Sequence, residues 1–234
     1  MRNVDKYTYA NMDVYYALTQ KREVIGRVSK KYFQGHLLDI GCGEMQYKKL
    51  IESKVKLSSY TGVDIENPIY QKEIKPDVFW DGKTIPLEDN SFESAILIEV
   101  LEHVPEPQTV LNEIARVLKV EGKLLITVPF LWNLHDTPND EFRYTPYSLT
   151  RFIENAGLEV LEMKRFGGWH GSFATMLAIY IKRGIHGRYK KILGRLAMPL
   201  ITWLHKKDDK YDKTDFSNGQ MITGIWCVVE KKKK

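Results

Sequence analysis

Cysteine is scarce in this chain, with two residues in 234, Cys42 and Cys227. Two thiols so far apart give neither a disulfide framework nor a zinc spacing, and they fit a compartment where thiols stay reduced. Both read as packing or turn residues. Long apolar runs are missing too: no stretch reaches the roughly eighteen uncharged apolar residues a membrane-spanning helix needs. The opening Met1-Arg2-Asn3-Val4-Asp5-Lys6 lacks the apolar core of a secretion signal, so a cytoplasmic protein is expected. The polarity that disorder requires is also absent, since 43% of residues are hydrophobic and 28% charged, as in a globular protein. That length suits one domain with a sizeable core, or one domain plus an elaboration.

The net charge of +5 is unevenly spread. Basic residues gather late, at Lys182-Arg183, Arg188, Lys190-Lys191, Arg195, Lys206-Lys207 and Lys231 to Lys234. The last four read as a solvated tail, whereas 182–207 suggests an anionic surface or partner. Nucleic acid is disfavoured, because no aromatic-and-basic platform or zinc motif accompanies the charge.

Apolar spacing at Tyr15, Leu18, Val24, Ile25 and Val28 predicts a helix over 15–33. Strands follow near 36–40, 59–63, 77–80, 94–98 and 123–128, with helices at 46–53 and 109–118 between them. This alternation is that of an α/β protein with a mostly parallel sheet. Thr145-Pro146 starts a further helix, as N-cap and first-turn proline, running to Asn155-Ala156-Gly157 before a strand at 158–165. Between Phe173 and Lys207 the alternation stops. There Ile185, Tyr189, Ile192, Leu193 and Leu196 share one helical face and Arg188, Lys191 and Arg195 another. Such a helix could lie on an anionic membrane or pack onto the domain or a second subunit.

The most informative segment is Leu37-Leu38-Asp39-Ile40-Gly41-Cys42-Gly43-Glu44, with Tyr60-Thr61-Gly62-Val63-Asp64-Ile65 about twenty residues on. It describes an apolar strand, a glycine turn opening a helix, and a second strand ending on a carboxylate. Side by side in a parallel sheet, the glycine amides can approach a ligand while Asp64 accepts bonds from a ribose diol. A pyrophosphate would want a third glycine, but Glu44 and Met45 follow Gly43, and the acid repels phosphate. An adenosine ligand bearing an ammonium or sulfonium suits the turn better.

Leu38-Asp39-Ile40-Gly41-Cys42-Gly43 resembles the first motif of class I S-adenosylmethionine-dependent methyltransferases, with Met45 in place of the usual last glycine. Asp77 to Gly82, Ile85 to Glu93, Ser94 to Pro107 and Val110 to Pro129 are similar to later segments of that family, in order, and the whole resembles its bacterial "type 11" group. The resemblance implies a doubly wound, mostly parallel seven-stranded sheet. Its last strand, at 222–230, would be antiparallel beside the fifth, after a helical insertion. The expected parts are a helical cover at 1–35, a core at 36–172, a basic insertion at 173–217, and the final strand and lysine tail at 218–234. S-adenosylmethionine is the implied cofactor. Asp39, Gly41, Cys42 and Gly43 would attend its methionine part, Asp64 and Ile65 the ribose and adenine, Asp81 and Gly82 the adenine edge, and Glu99 the region beside the methyl.

Methyl transfer to a hydroxyl needs an aligned acceptor and a base. The loop Trp132 to Tyr144 is richer in polar and aromatic groups than a connector needs. His135 is the first candidate base, Asp136 its orienter, and Arg143 a clamp for an anionic acceptor or a brace within the loop. The pattern Pro129-Phe130-Leu131-Trp132, His135, Arg143-Tyr144-Thr145-Pro146 is similar to group members found with glycan-assembly enzymes. The resemblance thus implies a sugar or lipid-linked hydroxyl as acceptor, with a quinone ring or another small molecule as rival and a non-catalytic adenosyl-binding scaffold as a further one. Glu99-Val100-Leu101-Glu102-His103 is also similar to metal-binding segments of small-RNA terminal and ubiquinone-pathway methyltransferases, with His135 as a further ligand. The Glu-His pair also occurs in related enzymes without metal, and no metal site is assigned. The oligomeric state is left open.

Overall fold

A computed structural model describes residues 6–66, 74–208, 214, 216 and 219–233. Parts of the expected helical cover (1–5), insertion (209–213, 215, 217) and final segment (218, 234) lie outside the described residues. After α1 (Tyr15–Tyr32) come β1 (His36–Ile40), α2 (Lys48–Glu52), β2 (Ser59–Asp64), β3 (Val78–Phe79) and β4 (Phe92–Ile98). Then follow α3 (Pro107–Val117), β5 (Leu118–Pro129), α4 (Pro146–Asn155), β6 (Leu158–Phe166), α5 (Trp169–Ile179), α6 (Lys190–Asp208) and β7 (Gly224–Lys231). Thr145 caps α4 as its sequence predicts, accepting the Ser148 amide.

The seven strands run in the order β3-β2-β1-β4-β5-β7-β6. β1 pairs in parallel with both β2 and β4, Asp39 standing between Gly62 and Ile96. β4 continues in parallel to β5. These central strands are covered on both faces, which is why Leu37-Leu38, Ala95-Ile96-Leu97-Ile98 and Leu124-Leu125-Ile126 read as unbroken apolar runs. The chain moves outward from β1 to β3, then crosses to β4 on the other side. That reversal opens a crevice at the carboxyl ends of β1 and β4. β7 runs against its neighbours. At its start the Thr223 carbonyl accepts the Phe130 and Leu131 amides beyond the end of β5, and the Thr223 amide donates to Phe166 at the end of β6. At its other end Lys232 reaches back to Gly157, before β6 begins.

Contacts gather the chain into two compact units. The first comprises Val24–Val128, His135–Met163 and Trp226–Lys234 and holds the crevice. The second comprises Met1–Glu23, Pro129–Leu134 and Lys164–Ile225. Its core joins Met12 to Ala174, Ala178 and Ile181 of the α5 segment and to Ile201 and Leu204 of α6. Arg183 closes a 2.9 Å ion pair on the buried Asp13.

The apolar face expected at 185–196 turns out differently. The helix starts only at Lys190, after Gly187 at φ 106°, and its buried side is Gly194, Ile201 and Leu204, while Tyr189, Ile192, Leu193 and Leu196 stay exposed. Helical periodicity located a stripe but not the side on which it would be covered.

Gly194 is the close-approach point of the second unit, since a Cβ there would stand 2.4 Å from carbons of the Tyr9 ring. Alanine ordinarily stabilises a helix interior by about 1 kcal/mol over glycine. Here the ring must move, so Gly194→Ala is expected to lower stability by about 1–3 kcal/mol, measured by urea unfolding.

Candidate active site at the carboxyl ends of the strands

The glycine turn hangs from the tip of β2. Gly41 and Cys42 both donate amide hydrogen bonds to the Val63 carbonyl, at 2.8 and 3.2 Å. Gly41 has φ 70°, and a Cβ there would come within 2.3 Å of Val100, so no other residue fits. Gly43, at φ 51°, borders open space instead. Its amide donates to Asp64 Oδ2 at 2.7 Å, and the Ile65 amide to Asp64 Oδ1 at 2.8 Å. One carboxylate therefore ties the bend after β1 to the end of β2.

Met45, standing where the family motif has its last glycine, takes the left-handed conformation at φ 49°. Its side chain is buried over β2, with Cε 2.8 Å from where a Gly62 Cβ would be, and Cys42 Sγ equally close. Gly62 leaves the space that both need. A glycine within a strand signals such an approach, but nothing in the sequence says which side chain arrives.

Beneath the turn Asp39 is buried and accepts a 2.5 Å hydrogen bond from the Tyr60 hydroxyl. Burial pushes the Asp39 carboxyl up to about 7, against the opposing pull of the Tyr60 bond and with a further push from Asp64. Ile65 and Gly82, both assigned to the adenine side, lie together: a Gly82 Cβ would be 3.7 Å from Ile65 Cγ2. Asp81 is exposed, and its Oδ1 accepts the Lys83 and Thr84 amides, each at 2.8 Å, which lowers its pKa. That oxygen closes a turn.

The loops after β4 and β5 are stitched together. The Glu102 carbonyl accepts the Glu141 and Phe142 amides, and the Tyr144 hydroxyl donates to the Leu101 carbonyl. Glu99, left-handed at φ 55°, takes a 2.8 Å bond from the Thr127 hydroxyl. The imidazoles of His103 and His135 meet edge to face, 4.8 Å between centroids, and His103 Nδ1 lies 2.9 Å from the Asn139 carbonyl.

One sequence expectation is corrected here, and one choice that the sequence left open is narrowed. Asp136 is exposed, its carbonyl taken by the Asn139 amide in a turn, whereas the carboxylate facing His135 belongs to Asp140: Oδ2 lies 3.3 Å from Nδ1 and accepts the His135 amide at 3.1 Å. Of the two readings of Arg143, the contacts are those of the brace within the loop. Its guanidinium grips both oxygens of Asp140, at 2.6 and 2.8 Å, and donates to the Phe142 carbonyl. The adjoining guanidinium holds the Asp140 carboxyl well below the usual carboxylate range. A loop has no period from which the spacing of Asp140 to His135 could be converted into a contact.

Glu102, His103 and His135 place one ligand atom each within 4.8 Å of one another. One buried carboxylate and two imidazoles make a donor set that a borderline divalent cation accepts.

Two outcomes follow from this geometry. The folded chain holds the Asp39 proton more tightly than the unfolded chain, so this contribution to stability is full below about pH 4 and lost as pH rises through about 7. Asp39→Asn removes that titration, and the stability of the parent relative to this variant should fall between pH 5 and pH 8 in urea unfolding. Arg143→Lys loses the two-pronged grip on Asp140 and should cut turnover about tenfold with little change in acceptor KM.

Residues 38–126 match the family model described as a methyltransferase domain. The chain is 29% identical over 171 residues to the O-methyltransferase resE of Aspergillus sclerotiorum, covering 63% of this chain and 59% of that one. It is 32% identical over 113 residues to the ubiquinone biosynthesis O-methyltransferase of Xanthomonas oryzae pv. oryzae, 44% of each. The chain thus spans about half the length of these two curated relatives. Among solved structures, a SAM-dependent methyltransferase from Archaeoglobus fulgidus shares the fold at TM-score 0.55 and 18% identity, over 93% of this chain and all of that one. Residues 38–126 thus match a methyltransferase domain, and the strand order and the glycine turn clasped by Asp64 are those of the class I S-adenosylmethionine-dependent methyltransferase fold.

Proposed function

We propose that the protein transfers the methyl group of S-adenosylmethionine to a hydroxyl oxygen, with His135 as the base. What carries this reading is the chain Arg143–Asp140–His135, which holds an imidazole against the loop that leaves β4. The cofactor brings an electrophilic methyl, so the protein has to bind, align and deprotonate. Gly41 and Gly43 offer a bend without side chains. Asp64 offers carboxylate lone pairs to a ribose diol while staying anchored on two amides. Glu44 and Asp64 make an acidic neighbourhood that favours a cationic ligand over a phosphate. With Nδ1–H facing Asp140, the lone pair on His135 Nε2 accepts the acceptor's proton, and the ionised Asp140 stabilises the imidazolium.

Two acceptor classes compete. The basic segment 182–207 speaks for a hydroxyl of a sugar or lipid-linked glycan, whereas the relatives named as O-methyltransferases, one of ubiquinone biosynthesis, speak for a quinol-type phenol. A labelled-methyl screen over glycans, lipid-linked sugars and catechols separates them, with calorimetry on S-adenosylmethionine alongside.

Asp64→Ala should weaken cofactor binding about tenfold or more, since a carboxylate with two charge-assisted bonds is removed. Unchanged calorimetric affinity would remove the ribose assignment. His135→Ala should lower turnover by about two to four orders of magnitude with cofactor affinity intact. Chelation leaves turnover unchanged if His135 is the base. A loss restored by Mn²⁺ would instead make Glu102, His103 and His135 a metal site.

A further inference from the structure

The helix pair of the second unit is apolar on the wrong side as well as the right one. Ala174, Ala178 and Ile181 turn inward, yet Trp169, Phe173, Met176 and Tyr180, spaced four, three and four residues apart, form a second stripe that stays exposed. α6 repeats the arrangement: Ile201 and Leu204 are buried, while Ile192, Leu196, Leu200 and Trp203 recur along an outer face, with Leu196 73% exposed and Trp203 52%. A surface helix of a globular protein normally carries charge on that side, and apolar surface of this extent marks an interaction site.

Charge decides what the site meets. From Phe166 to Lys207 the sequence contains eight Lys and Arg and no Asp or Glu. Arg183 is engaged with Asp13. Arg188 is exposed in the turn before α6, and Arg195 and Lys206, eleven residues apart, are exposed on one line of the helix beside its outer stripe. Among the described residues no acid pairs with any of these three. A second copy of the chain laid on this face would bring like charges together without compensation. An anionic bilayer satisfies every element at once. The aliphatic and phenylalanine side chains enter the acyl boundary, Tyr180 and Trp203 keep their polar tips at headgroup level, and the basic residues meet lipid phosphates. No helix among the described residues is long and apolar enough to cross a membrane, so the contact is peripheral.

We propose that the outer face of the α5–α6 pair docks on the surface of a bilayer containing anionic lipid. None of its residues is among those argued to bind cofactor or to act on the acceptor. The test is flotation of the full chain with vesicles of phosphatidylcholine alone or with about 30% phosphatidylglycerol. Binding is expected only to the second kind and should weaken as salt is raised from about 0.1 to about 0.5 M. The double variant Leu196→Glu/Trp203→Glu should lower partitioning about a hundredfold. Arg188→Glu/Arg195→Glu should lower it about tenfold or more. Since all four side chains are exposed, both variants should keep the parent's melting profile and its affinity for S-adenosylmethionine. Failure of the parent to float with either vesicle overturns the proposal, as does flotation unchanged in both variants. A dimer seen by sedimentation and broken by Leu196→Glu/Trp203→Glu, without lipid binding, overturns it in favour of a second copy.

Discussion

One carboxylate organises the crevice. Asp64 stands at the end of β2, and its two oxygens hold the amides of Gly43 and Ile65, one from the bend after β1 and one from its own continuation. Backbone amides in a tight turn are costly to leave unpaired. Engaging them with a charged acceptor fixes both strand tips relative to each other, so the bend is rigid before any ligand arrives. A carboxylate has about four acceptor directions, more than two amides use. The same group can therefore shape the turn and receive a nucleoside.

That constraint explains the departures around it. A methionine in a glycine position would ordinarily stand in the ligand's way. Here Met45 accepts a left-handed backbone, and its side chain folds onto β2, where Gly62 has no side chain to resist it. The space left by Gly62 thus accommodates the methionine. Asp39 and Tyr60 repeat the principle one layer deeper: a buried acid held by one short hydroxyl bond keeps its proton to about pH 7, which limits like-charge repulsion next to Asp64. Left-handed non-glycine residues recur at this end of the sheet, at Met45, Glu99 and Asp136. Strained backbone of this kind persists where the surroundings over-determine it.

The opposite logic holds in the second unit. There helices α5 and α6 are stabilised by burying one apolar side, around Met12 and Ile201, yet carry another that water meets. Exposure of tryptophan and leucine in rows gains nothing for the folded monomer, and basic side chains beside them narrow the chemistry of whatever covers them.

Much of this was legible in the chain itself. Buried parallel strands announce themselves as apolar runs, and a glycine bend can be read because φ above zero excludes most side chains; hence β1, β2, β4, α4 and the placing of the glycine bend beside Asp64 were all foreseeable. Periodicity also found the apolar stripe of the basic segment. What it lacked was partner information. A stripe is a property of one helix, but being covered is a property of two surfaces, so only tertiary structure showed Leu196 and Trp203 facing outward. In the same way His135, Asp140 and Arg143 were visible as chemistry without geometry. A loop imposes no repeat, so the choice of Asp140 over Asp136 as the partner of His135, and the use of Arg143 as a brace, was decided by where the folded chain brings their charges together.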